Sequence, residues 1–397
     1  MKRTTRSLFS LATLLLATIA CHAQPVDWTP LPVAIGVGHM GSPARIGAHQ
    51  VLAYELRITN DFRLPLRLDR LELLGPAGDD TPLARYEGQA LAALQAQATP
   101  SGAGTAGIAL QPGQTTLLYL FLELPGPQAW PQVLRHRLHW SWERKPGSAE
   151  RQQSVQTLAA APTGAPLPAL DAPVNGGIWL AANGPDNASE HRRTVAYADG
   201  VASLPQRYAY DLVLLDAQGR LFRDKGEKST DWFAFGQPLL LAADGVVALV
   251  QDGADDNEPV GTVPPAAMNV RNLCGNGLSL RLVSGHYLIY CHLKKGSQAV
   301  RAGQRVRRGE LLGRLGNSGN SDAPHLHLHL STQAHPMRGE GEPISFACLR
   351  RMGRVPDLQA AFVAGRAELQ PGAGVSGQAA GMNELIELPA PDQGPCR

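Results

Sequence analysis

The sequence has no excess of either charge: 36 lysines and arginines face 34 aspartates and glutamates, for a formal net of +2. Nucleic-acid binding normally needs a concentrated basic face, and the cluster from Lys294 to Arg308 reads instead as a solvated set of turns. Past residue 20 no apolar run is long enough to cross a bilayer. The five cysteines form no CxxC or CxxH pair, so a structural zinc knot is not expected. From Gly176 to Ser331 no window carries the spacing of a long amphipathic helix. What remains is a β-rich chain of 397 residues, enough for two or three domains with their own cores.

The first residues read as an export signal. Lys2, Arg3 and Arg6 precede an apolar run from Leu8 to Ala20, and Cys21-His22-Ala23 offers small residues at the two cleavage-determining positions. Cleavage after Ala23 would start the mature chain at Gln24, in the periplasm or outside the cell. A lipoprotein signal with Cys21 lipidated ranks second, because Thr18 stands where such signals usually carry leucine. Without Cys21, the remaining Cys274, Cys291, Cys348 and Cys396 allow three pairings, among which the sequence does not choose.

An all-β chain is expected. Residues 24–158 alternate as short strands: Val51 to Thr59, Leu66 to Leu74 with a change of phase at Asp69-Arg70, Thr116 to Leu124, and His136 to Trp142. Spaced turns between them suggest a β-sandwich of immunoglobulin-like kind, with His136 and His139 on opposite faces as structural residues. Residues 159–173, rich in Ala and Pro, read as a semi-stiff linker. A second β-rich domain, residues 174–350, follows with strands at Tyr208 to Leu215, Pro238 to Ala242, Val246 to Gln251, Leu278 to Val283 and Tyr287 to His292. Residues 351–397 are expected to be a loose extension with one short helix between Pro356 and Glu368.

The most informative stretch is Pro324-His325-Leu326-His327-Leu328-His329-Leu330. Period two is the period of a strand, so the three histidines share one face and the leucines the other. Their imidazoles would root about 6.6 Å apart, close enough to share one metal or one substrate. A hydrolytic zinc site needs three protein ligands and an open fourth position. His292, closing the strand from Gly285, offers another imidazole. Asp211 offers a carboxylate inside an apolar strand, where an unpaired aspartate would be costly.

Four motifs in order resemble the lysostaphin-type, or LytM-type, zinc endopeptidases. They are Phe235-Gly236-Gln237-Pro238 leading to Ala243-Asp244-Gly245-Val246-Val247, then Tyr290-Cys291-His292-Leu293, then Val306 to Gly313, then Gly316-Asn317-Ser318-Gly319 followed by His325-Leu326-His327. The resemblance covers about Gly176 to Ser331 and says nothing of the first domain. The valine-glycine turn pattern by itself is shared with lipoyl-carrier-like domains, but the lysine those need at a hairpin tip is missing. The family implies a β domain built on a duplicated hybrid motif, a zinc cofactor and peptidoglycan peptides as substrate. It also implies His327 and Asp211 as metal ligands, and His292 and His325 as the imidazoles that orient a metal-bound water, move protons and steady the oxyanion.

One departure stands out. The family usually places its first ligand in an HxxxD motif, and here that position is Arg207, which cannot bind zinc. His191, twenty residues before Asp211 on an expected loop, is the nearest upstream candidate, in an HRR…QR(Y/F)AxD arrangement like that of some relatives. A surface histidine beside two arginines is the plainer alternative. His329 stands where many relatives carry glutamate. The expected function is an exported zinc endopeptidase acting on peptidoglycan stems or bridges. A non-catalytic wall-binding or amidase-regulating protein, and a peptidase acting on proteins or small peptides, are the other two readings.

Overall fold

The computed structural model describes residues 31–95, 107–126, 130–145, 147–156, 160–163, 166–265, 269–370, 372 and 374–390. The expected leader at 1–23 and Cys396 lie outside them.

The chain is nearly all β. Its first half forms two antiparallel sheets over one core. In one sheet the strand His49–Asn60 pairs along its length with Thr115–Pro125, with Val33–Val37 and Ala44–Ile46 also joined to it. In the other, Leu66–Leu74 lies between Pro82–Glu87 and Arg135–Trp142. Alternate residues of the two sheets, among them Leu52, Leu56, Leu71, Leu118, Leu138 and Trp140, meet in the core, the arrangement of a sandwich. The register slips between Leu68 and Arg70, at the change of phase read from the sequence. His136 is buried with Nε2 2.8 Å from the Tyr54 hydroxyl. His139 points the other way, with Nε2 3.2 Å from the Glu72 carboxylate.

The second half is organised on one eleven-stranded sheet among the described residues. Its centre runs Gly245–Gln251, Asn276–Leu282, Tyr287–Leu293, Leu326–Ser331, Tyr210–Leu215, Gly177–Ala182. Leu326, Leu328 and Leu330 enter the larger core with Leu288 and Tyr290, as the period-two reading requires.

Two expectations are corrected. The stretch read as a linker is partly built into the fold: Ala169–Leu170 pairs in parallel with Ser345–Phe346, and Leu170 is fully buried. The C-terminal extension is not loose over its described length. The strand Glu384–Leu388 lies inside the large sheet, between Gly177–Ala182 and Leu349–Arg354. Leu385 and Ile386 are fully buried in the cores on opposite faces of that sheet. Burial on both faces holds a five-residue strand that Gly- and Pro-rich surroundings obscure in the sequence. The expected helix is Leu358–Ala364, capped by the Asp357 carboxylate, which accepts from the Ala360 N–H at 2.9 Å, and ended by Gly365 at φ 65°.

Candidate metal centre

Strand register brings the candidate residues together. Leu326–Ser331 lies between Tyr210–Leu215 and Tyr287–Leu293, with His327 directly opposite Asp211 on one side and Cys291 on the other. Residues opposite each other in antiparallel strands project to the same face, so Asp211 and His327 meet there. Asp211 Oδ1 is 3.0 Å from His327 Nδ1 and 3.2 Å from His325 Nε2.

His292 reaches this face by breaking the alternation. In its strand Leu288 and Tyr290 face the core, and a regular continuation would send His292 the same way. Its φ is 64°, a conformation rarely adopted by residues other than glycine. The ring is thereby turned to lie 4.6 Å from that of His325 and 5.8 Å from that of His327. Two supports hold it. The His292 N–H donates to Cys274 O at 2.9 Å, and Cys274 is disulfide-bonded to the neighbouring Cys291. Cys348 is disulfide-bonded as well.

The glycine turn before the histidine strand orients two rings. His292 Nδ1 lies 2.7 Å from Ser318 O and His325 Nδ1 2.8 Å from Ala323 O. An Nδ1–H donated to each carbonyl leaves both Nε2 atoms facing the site. Gly319, at φ 80°, passes so close to the loop before Asn276 that a Cβ would sit 2.7 Å from the Gly275 Cα. Only glycine permits that approach.

His191 also arrives. It sits in the short helical turn Glu190–Arg193, with Nε2 3.4 Å from Asp211 Oδ2 and its ring 4.8 Å from that of His327. Its Nδ1 is 3.0 Å from Asn183 O, which fixes the tautomer that leaves Nε2 bare. Asn183 additionally donates from Nδ2 to Asp211 Oδ2 at 3.0 Å. His191, Asp211 and His327 each offer a ligand atom, and these atoms all lie within 4.8 Å of one another.

Two imidazoles and a carboxylate are a donor set suited to zinc, and the protonation states agree. Burial would raise the Asp211 carboxyl, but His191, His325 and hydrogen bonds hold it well below the carboxylate range. Burial pushes His327 down to about 4, which keeps its imidazole neutral. His327 Nε2 is 3.0 Å from His329 Nδ1; a proton on that Nε2 leaves Nδ1 bare toward Asp211. His329, which stands where many relatives carry glutamate, can accept that proton at Nδ1. Burial and then the neighbouring His325 and His327 depress His292. For His325 burial acts downward, but the Asp211 carboxylate outweighs it and raises the pKa.

Arg207 is placed elsewhere. Its guanidinium, 1% exposed, donates from Nε and Nη2 to Glu55 at 3.1 and 2.8 Å, from Nη2 to Glu340 at 2.6 Å, and from Nη1 to Gly341 O at 3.1 Å. Glu55 belongs to the first sandwich. The sequence reading missed Glu55 and Asn183. Neither carries a spacing signal, although Asn183 before Gly184 marks the end of a strand.

A cleft of about 570 Å³ opens beside the site. Asn183, Asp211 and His325 form its polar end, and Phe222, Trp232 and Phe362 its apolar wall, the last contributed by the C-terminal helix.

Residues 225–338 match the sequence profile of peptidase family M23, and the second half of the chain carries a domain of this lysostaphin, or LytM, type. His191 and Asp211 lie upstream of the matched residues. Over 135 residues, 34% of this chain, the sequence is 30% identical to the peptidoglycan DD-endopeptidase ShyA of Vibrio cholerae. The chain spans about a quarter of that relative's length, 26%. Among solved structures it is similar to the catalytic domain of lysostaphin from Staphylococcus simulans, at 20% identity over 31% of this chain and 84% of that one, with a TM-score of 0.19. It is also similar to a zinc-containing peptidase from Vibrio cholerae, at 14% identity over 53% of this chain and 80% of that one, with a TM-score of 0.20.

Proposed function

We propose that this chain is an exported zinc endopeptidase that hydrolyses peptide bonds in peptidoglycan stems or cross-links. The observation that carries the reading is the convergence of His191 Nε2, the Asp211 carboxylate and His327 Nδ1, with ligand atoms within 4.8 Å of one another. These three would hold the ion, and His329 and Asn183 would fix the rings behind it. Zinc, when bound, supplies a Lewis acid that makes hydroxide accessible near neutral pH.

The chain's own residues do the rest. His292 has Nδ1 engaged by Ser318 O, so its Nε2 is placed to orient the attacking water and take its proton. His325 Nε2 faces the same space, where a donor steadies the oxyanion and then passes a proton to the departing amine. Phe222, Trp232 and Phe362 give the cleft beside the site an apolar wall. Export is supported by the charged-then-apolar N-terminal run and by the Cys274–Cys291 bridge, which suits an oxidising compartment.

Arg207 in the usual ligand position favours the non-catalytic reading, but its engagement by Glu55 and Glu340 gives it a structural role and supports His191 as the third ligand. Digestion of purified sacculi tests the proposal. Zinc-loaded protein is expected to release soluble muropeptides with new amine termini, and His325→Ala to release none. No release from sacculi, alongside cleavage of unfolded protein substrates, would overturn the choice of substrate.

A further inference from the structure

We propose that the N-terminal sandwich is a working part of the metal centre, because its Glu55 holds the segment that delivers His191. This rests on the reading of His191 as a metal ligand.

The turn Glu190–Arg193 has only four residues, too few to be a stable helix by itself. Inward, His191 is tied to Asn183 O. Outward, the residues flanking it are tied to the sandwich. Arg192, fully buried, donates from Nη1 to the Glu55 carboxylate, and from Nη2 to Tyr54 O at 2.8 Å and Leu120 O at 3.1 Å. Arg193 donates to Gln95 O at 2.6 Å and Ala93 O at 3.0 Å, and its guanidinium lies 4.6 Å from the centre of the Tyr119 ring. Asn187 Nδ2 donates to Tyr119 O at 3.0 Å.

Glu55 takes a second guanidinium on the same carboxylate, that of Arg207, four residues before Asp211. One buried anion therefore clamps the chain beside His191 and the chain leading to Asp211. The residue that displaces the usual ligand position is the one that fastens this clamp, while the ligand comes from a segment the clamp also holds. Fixed guanidinium–carboxylate geometry suits the task, since ligand placement depends on the groups behind the ligand. Glu55 and Arg193 are accordingly positioning residues for His191.

The test is zinc affinity, measured by chelator competition on the full chain, with thermal unfolding followed in parallel. Glu55→Gln and the less buried Arg193→Ala are each made in the wild type and in the His191→Ala background. Each is expected to weaken zinc binding by about 10- to 100-fold in the wild type; once His191 is gone Arg193→Ala is expected to have no further effect, and Glu55→Gln only the smaller one it exerts through Arg207 on the Asp211 strand. An equal loss in both backgrounds, or no loss in either, overturns the proposal. If His191→Ala itself leaves affinity unchanged, the ligand reading fails instead. Arg193→Ala carries the test should Glu55→Gln not fold.

Discussion

Arg207 and His292 show how much a single side chain can depend on residues distant in the chain. Arg207 looked like a lost ligand because its position, four before Asp211, is legible locally, whereas its partner Glu55 lies 152 positions away. His191 could be picked out only as the nearest upstream histidine, in an HRR…QR(Y/F)AxD arrangement like that of some relatives. By contrast, the pairing of His325 and His327 was fully legible, since period two fixes their common face. His292 was legible as a motif residue, but alternation would have turned it to the core, and the left-handed backbone at φ 64° is what redirects it. His292→Ala is expected to retain zinc within about two-fold while cleavage falls by roughly 10²- to 10⁴-fold, the range for loss of a general base. Metal analysis and a muropeptide-release assay on the same preparation check both halves.

Among the elements, the strands with clear alternation were legible and the C-terminal strand was not. Glu384–Leu388 sends Leu385 to one core and Ile386 to the other, so it has no polar face to mark its period. Its place beside Gly177–Ala182, next but one to the Asp211 strand, makes it part of the sheet that positions the site. Ile386→Ala is expected to cost about 2–4 kcal/mol of stability, as for other large buried aliphatics, measured by urea unfolding. A loss below about 0.5 kcal/mol, the scale of an exposed substitution, would mean the strand is not docked.

For the whole molecule, acid should act through the sandwich as well as the site. Burial lowers His136 from 6.5 to about 4. The unfolded chain therefore binds a proton there that the folded chain does not, and stability falls as pH drops between those values. At Glu55 burial acts upward, but Arg207 and Arg192 prevail and lower the carboxyl from 4.5 to about 2. Its contribution is complete above pH 4.5 and is lost as pH falls toward 2, which loosens the clamp between the two halves. Unfolding free energy measured against pH should decline across the first window, with a shallower slope in His136→Gln. An unchanged slope would mean His136 does not titrate with folding. The two-part, all-β organisation was legible from strand spacing and turns. The inter-domain clamp was not, because paired buried charges leave no periodic trace in sequence.

If His191, Asp211 and His327 share one cation, the zinc content of the untagged full-length chain will report it. About one zinc per chain is expected in the wild type, with marked loss in His327→Ala and in His191→Ala after identical dialysis. A wild-type chain that holds no zinc, or a His191→Ala chain that keeps its full complement, would contradict it.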